Sequence, residues 1–121
     1  DVYKRQLERS LKRDGFENIS LADCGKEAID LVNESKFDLI LLDLMMPDIS
    51  GLDVLKILKA DPKNRGIPVV MVTAADEIET TAECISNGAE DYITKPINAT
   101  LLKARVSACL EKKRFRDSEE H

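Results

Sequence analysis

Phe37-Asp38-Leu39-Ile40-Leu41-Leu42-Asp43 decides the fold. Every position from Leu39 to Leu42 is apolar, so an extended segment here is apolar on both of its alternating faces. A strand with one wet face alternates apolar and polar residues; one that does not must be covered on both sides, which implies a parallel sheet between two helical layers. Pro68-Val69-Val70-Met71-Val72-Thr73 reads the same way, and Asp91-Tyr92-Ile93-Thr94 is a shorter strand.

Helical patterns fill the intervals. Leu7 and Leu11 stand four apart in a charged stretch that stops at Asp14-Gly15, and Ile19 and Leu21 alternate with Asn18 and Ser20 as a short strand. Ala28, Leu31 and Val32 form one apolar helical face behind Asp23, a candidate cap. Ser50 with Asp53 three residues on opens a helix bearing Val54, Leu55 and Leu58. Asp76 and Glu79 open the next, with Ile78, Ala82 and Ile85 expected inward and Asn87-Gly88 as its stop. Asn98 caps a last helix with Leu102, Val106, Cys109 and Leu110 on one face. Strands alternating with helices define an α/β fold with a mostly parallel sheet.

At 121 residues the chain is about one domain, and 43% hydrophobic residues is enough to build a core. A net charge of −5 disfavours direct nucleic-acid binding, which needs a clustered positive surface. The one basic cluster, Lys112, Lys113, Arg114 and Arg116, is interleaved with Glu111 and Asp117 and reads as a solvated helix face. No apolar run is long enough to cross a bilayer and no signal-peptide pattern opens the chain, so membrane insertion is not expected and a cytoplasmic location is. Cys24, Cys84 and Cys109 are odd in number and widely spaced among apolar residues, unlike a disulfide framework or a zinc site; buried free thiols are expected.

In open α/β sheets, function gathers at the carboxyl ends of the strands. Those ends carry Asp43, Thr73 and, directly after the last strand, Lys95-Pro96. Singly, each is an ordinary turn, strand-end or surface residue. Together, a carboxylate, a hydroxyl and an ammonium meet on one rim.

The stretch Asp43-Leu44-Met45-Met46-Pro47-Asp48-Ile49-Ser50-Gly51 resembles the phosphoacceptor loop of the receiver domains of two-component response regulators. Thr73-Ala74 is similar to that family's hydroxyl residue and its small neighbour, and Gly88-Ala89-Glu90-Asp91-Tyr92 with Thr94-Lys95-Pro96 to its lysine-proline segment. The likeness runs from about Leu7 to Leu110. It implies a flavodoxin-like doubly wound parallel sheet and a phosphoryl group passed from a histidine kinase or phosphotransfer protein to Asp43. By the same resemblance Lys95 neutralises a phosphoryl oxygen across a cis Lys95-Pro96 bond, Thr73 bonds the new group, and Tyr92 swings as the switch aromatic. Asp43 and the Met45 backbone carbonyl are then ligands to Mg2+. The chain's only histidine, His121, stands at its extreme end and is no phosphoryl donor.

One departure shapes the expectations. Receiver domains usually begin with an apolar strand ending in two adjacent acidic residues that hold the metal, whereas Asp1-Val2-Tyr3-Lys4-Arg5-Gln6 leads straight into a helix. Mg2+ affinity is therefore expected to be poor, and the sheet is expected to lack its first, central strand and to be unstable or to dimerise through the open edge. The hexapeptide can be written in DNA as GATGTGTATAAGAGACAG, which looks like a transposon end used in sequencing libraries. Residues 1–6 are accordingly read as a non-native adapter-derived segment, 7–110 as an incomplete receiver domain, and 111–121 as a helical linker toward an output domain. The segment from Asn98 to Asp117 is similar to receivers joined to nucleotide cyclases or sensor kinases.

Rival classes fit less well. A haloacid-dehalogenase-type phosphatase needs a second aspartate where this chain has Met45, and a flavin binder needs a hydroxyl-rich phosphate loop that is not visible. The alternative that stands is a non-phosphorylated pseudo-receiver acting as a protein-binding module. An enzyme with turnover on a separate substrate is not expected.

Overall fold

Three parallel strands carry the rim. In the computed structural model, which describes residues 2–13, 22 and 24–119, they are β1 (Ile40–Asp43), β2 (Val69–Thr73) and β3 (Asp91–Thr94), in the order β1-β2-β3. The helices are α1 (Val2–Arg13), α2 (Gly25–Glu34), α3 (Gly51–Ala60), α4 (Ile78–Ser86) and α5 (Ala99–Glu119). α1 runs unbroken across the boundary drawn between residues 6 and 7, and α5 across residue 111. The expected strand at Ile19 and Leu21, the stop at Asp14-Gly15 and the Asp23 cap lie outside the described residues. Among the described residues β1 pairs with β2 alone, and an apolar groove lined by Ala22, Val32, Leu39 and Leu41 lies against it.

The apolar run of β1 divides between two cores, as double coverage requires. Leu42, with Ile40 against it, joins Val69 and Met71 in a core built on α2, α3 and α4. Leu39 and Leu41 instead pack with Val70 and Ile93 against Leu7 and Leu11 of α1 and Leu102, Val106 and Cys109 of α5. The period of two along each strand thus sends successive side chains to opposite layers. Val54, Leu55 and Leu58 of α3 are all buried, each stabilising the fold by roughly 1.5–3 kcal/mol relative to exposure.

Local chemistry sets the helix ends. Ser50 Oγ accepts a hydrogen bond from the Asp53 amide at 3.2 Å, and Asn98 Oδ1 one from the Leu101 amide at 3.0 Å. Gly88, at φ 107°, ends α4 in the left-handed region, where a Cβ would be strained.

The inward face of α4 corrects the reading from sequence. Ile78 and Ile85 are 75% and 41% exposed and Ala82 is exposed too; the buried residues are Thr81 and Cys84. Glu77 fixes the start of the helix by accepting from the Ala74 amide at 2.9 Å. The Thr81 hydroxyl bonds the Glu77 carbonyl at 2.7 Å, so it is buried without an orphaned polar group. Cys24 is half-buried rather than buried, and all three cysteines are free. Burial pushes the Cys84 and Cys109 thiols up, so neither serves as a thiolate nucleophile near neutral pH.

Candidate functional site

Asp43 closes β1 opposite Val72, and the ladder continues one step further through the Leu44 amide to the Val72 carbonyl at 3.0 Å. Thr73, fully buried, ends β2 and pairs with Thr94. The Lys95 amide donates to the Thr73 carbonyl at 2.8 Å, which ties the residue after β3 to the end of β2. Its side chain then passes over the end of β2 to reach Asp43. Neighbouring strands are about 4.8 Å apart, so a group two strands away is reached only by a long side chain. Lys95 Nζ lies 3.1 Å from Asp43 Oδ2 and 3.4 Å from Oδ1. The Lys95–Pro96 bond is cis.

The loop after β1 is closed from beneath and from the side. Gly51 returns the chain so tightly that a Cβ there would stand 2.3 Å from the Asp43 carbonyl oxygen and 2.8 Å from Leu44 Cα. Backbone does not yield as a side chain does, so only glycine fits. The Met45 amide donates to Asp43 Oδ1 at 3.1 Å while its side chain is 68% exposed, leaving that residue to act through its main chain.

Asp48 holds the loop from the side. Its carboxylate accepts from the Gly25 amide at 2.8 Å and the Lys26 amide at 3.0 Å, the first donors of α2, and from the Ile49 amide at 2.8 Å. The N-cap position of α2 is Cys24, which makes no side-chain cap bond; the helix is capped from 23 residues away instead. Those amides hold the Asp48 carboxyl down to about 2 from 3.8. A carboxyl depressed on folding stabilises above its unfolded value, and that stabilisation is lost as pH falls through the folded one. Urea unfolding of the chain is therefore expected to show a loss of stability between about pH 4 and pH 2. Asp48→Asn is expected to be less stable at neutral pH and to lack that component of the acid dependence. Parallel pH curves for the two proteins would remove Asp48 as the latch.

Of the residues singled out in the sequence, Asp43 and Lys95 are in contact, Thr73 stands at the strand end between them, and Met45 touches Asp43 through its amide. Tyr92 is set apart, opposite Met71 on β3 and 39% exposed. The latch by Asp48 and the close approach of Gly51 were not visible from residue types, because each depends on a partner distant in sequence or on backbone alone.

The donor set for Mg2+ is thin. The ion takes six oxygens in octahedral geometry, some from water and usually one or two from carboxylates. Asp43 and the Met45 carbonyl are the oxygens that the resemblance assigns, and the next carboxylate along the loop, Asp48, is engaged by the α2 amides. Among the described residues no group of three or more His, Cys, Asp or Glu converges as a metal site. These residues by themselves do not fit the ion.

A parallel sheet between helices, with an aspartate-lysine pair beside a threonine on its carboxyl rim, defines a receiver-type signalling domain. Residues 1–107 match the response regulator receiver domain family, and the chain belongs to it. It is 39% identical over 106 residues to the cell cycle transcriptional regulator CtrA of Caulobacter vibrioides, covering 88% of this chain and 45% of that protein. It is 42% identical over 102 residues to the phosphate regulon transcriptional regulatory protein PhoB of Klebsiella pneumoniae, covering 84% of this chain and 44% of that one. A crystal structure of a response regulator from Chloroflexus aurantiacus superposes with a TM-score of 0.87 at 29% identity, over 92% of this chain and 90% of that one. The chain spans less than half the length of the two regulators.

The fold is thus the flavodoxin-like receiver fold, and the domain is regulatory, a two-component signalling module. Receiver domains as a family bind Mg2+, meet histidine kinases and are linked to output domains. Nothing in these likenesses favours the pseudo-receiver. No helix among the described residues is long and apolar enough to cross a membrane.

Proposed function

We propose that Asp43 is the phosphoacceptor, taking its phosphoryl group from a phosphohistidine on a histidine kinase or phosphotransfer protein. The observation that carries this reading is the Lys95 ammonium at 3.1 Å from the Asp43 carboxylate, held across the end of β2 beside Thr73. An Asp43 oxygen attacks phosphorus, the P–N bond breaks, and its electron pair leaves with the imidazole, which takes up a proton; the product is an acyl phosphate. Phosphoryl transfer asks chiefly for alignment and charge neutralisation. Lys95 supplies the positive charge, and the Met45 amide orients the carboxylate. Thr73 then bonds the added oxygens and is drawn toward them, and Tyr92 turns inward, so that the face of α4 and β3 reports the modification. Mg2+ enters no step here, because the described residues do not supply a site for it.

The charged end of α5 supports a helical linker to an output domain, and the resemblance of Asn98 to Asp117 to receivers joined to nucleotide cyclases or sensor kinases supports an output of that kind. Likeness to CtrA and PhoB, both named as transcriptional regulators, supports a DNA-binding output instead.

The test is transfer of labelled phosphate from a phosphohistidine donor to the folded chain and to the full-length gene product. Label sensitive to hydroxylamine, as an acyl phosphate is, is the expected result. If neither protein takes label, the proposal fails and the protein-binding pseudo-receiver replaces it.

A further inference from the structure

Arg105 of α5 makes three contacts with β3. Its Nη1 pairs with Asp91 Oδ1 at 2.9 Å, and the same nitrogen donates to the Tyr92 carbonyl. Its guanidinium carbon stands 5.1 Å from the centre of the Tyr92 ring. The first two contacts fix the guanidinium independently of the ring, so that a pre-set cationic plane is offered to the aromatic face. Arg105 and Asp91 are both partly exposed, and an ion pair of that kind adds orientation more than stability. Tyr92 sits on the layer of the sheet opposite Ile93, with its ring partly exposed and the buried Thr73 on the neighbouring strand two residues past its partner Met71. A ring that turns toward Thr73 must leave the guanidinium.

We propose that Arg105 is a positioning residue that holds the Tyr92 ring outward and so sets how readily the aromatic turns; this rests on the reading of Tyr92 as the switch residue. Asp91 and the Tyr92 carbonyl aim the guanidinium, and the cation–π contact does the holding. Loss of a partly exposed contact of this kind shifts the balance between outward and inward ring by roughly two- to fivefold.

The chain has two tyrosines and no tryptophan, so Tyr3→Phe leaves Tyr92 as the one fluorophore of its class. In that background Arg105→Met keeps the aliphatic stem and removes the charge, Arg105→Lys keeps a cation, and Asp91→Asn removes the group that aims the guanidinium. Acrylamide quenching of tyrosine emission on the unphosphorylated chain reads the ring's exposure, with circular dichroism confirming that each variant is folded. The quenching constant is expected to fall with Arg105→Met, to fall less with Asp91→Asn, and to stay near the parent value with Arg105→Lys. A constant that is unchanged or raised in Arg105→Met overturns the proposal, since the arginine then only covers the ring. If Arg105→Met does not fold, the other two variants decide: a parent-like lysine variant with a lowered constant in Asp91→Asn supports the clamp, and any other pair overturns it. No phosphoryl group enters the measurement. An immobile ring on a chain that takes label at Asp43 sinks the clamp alone, and a mobile ring with no label on either the chain or the full-length gene product sinks the phosphoacceptor reading alone.

Discussion

Asp43→Asn is expected to abolish phosphoryl incorporation while leaving the fold in place. An amide oxygen is a far weaker nucleophile than a carboxylate, and the next carboxylate along the loop, Asp48, is spent on the amides of α2. The substitution keeps the shape of the side chain and an oxygen to accept from the Met45 amide, the 3.1 Å contact that orients it. It removes the charge facing Lys95. Asp43 is 13% and Lys95 34% exposed in their side chains. With the lysine that open to solvent, loss of the pair should change stability by no more than about 1 kcal/mol. Thermal melting should therefore be close to the parent's while the label disappears. Label that persists on the folded asparagine protein at the parent level would place the acceptor elsewhere in the chain.

The parts of this molecule that were legible in its sequence are those written in local patterns. Leu39 to Leu42 and Val69 to Val72 are short, apolar on both alternating faces and bounded by polar or turn residues, which as strands requires cover on both sides. The caps at Ser50 and Asn98 lie three residues from the amides they bind, within the range over which a side chain and its own turn can be read together. Asp43 and Lys95 were legible for a different reason. Parallel strands align their carboxyl ends, so residues that end separate strands meet even when 52 positions separate them.

What the sequence hid depends on rotation and on long-range pairing. In α4, Ile78 and Ile85 are the apolar choices by residue type, but Glu77 and the Gly88 turn set the helix so that Thr81 and Cys84 face the core. Hydrophobicity misleads where a threonine can bury its hydroxyl against its own helix. Asp48 reads as one more turn residue until α2 is placed beside it, and Arg105 as a solvated charge until β3 lies beneath it. The partners that decide their roles, the Gly25 and Lys26 amides for Asp48 and Asp91 and Tyr92 for Arg105, lie beyond the reach of a local pattern.

Lys95→Met separates charge from shape at the site. Methionine keeps an unbranched stem over the end of β2 and removes only the ammonium, so the contact at 3.1 Å to Asp43 is lost without opening a cavity. Removing one pre-positioned donor from a site where anionic charge must be balanced typically slows the reaction by about 10²–10³-fold, and the initial rate of label incorporation should fall on that scale. Lys95→Arg is expected to recover part of the rate, because the charge returns on a wider, planar group that cannot take the same position over β2. The carboxylate remains, so a small amount of acyl phosphate should still form on long incubation, in contrast to Asp43→Asn. If Lys95→Met took label within a few-fold of the parent rate, the lysine would be a structural tie between β3 and β1, and the charge that balances the phosphoryl oxygens would have to be sought elsewhere. The arginine variant guards the opposite error: a rate as low as that of Lys95→Met would mean that position, and not charge, is what the ammonium contributes.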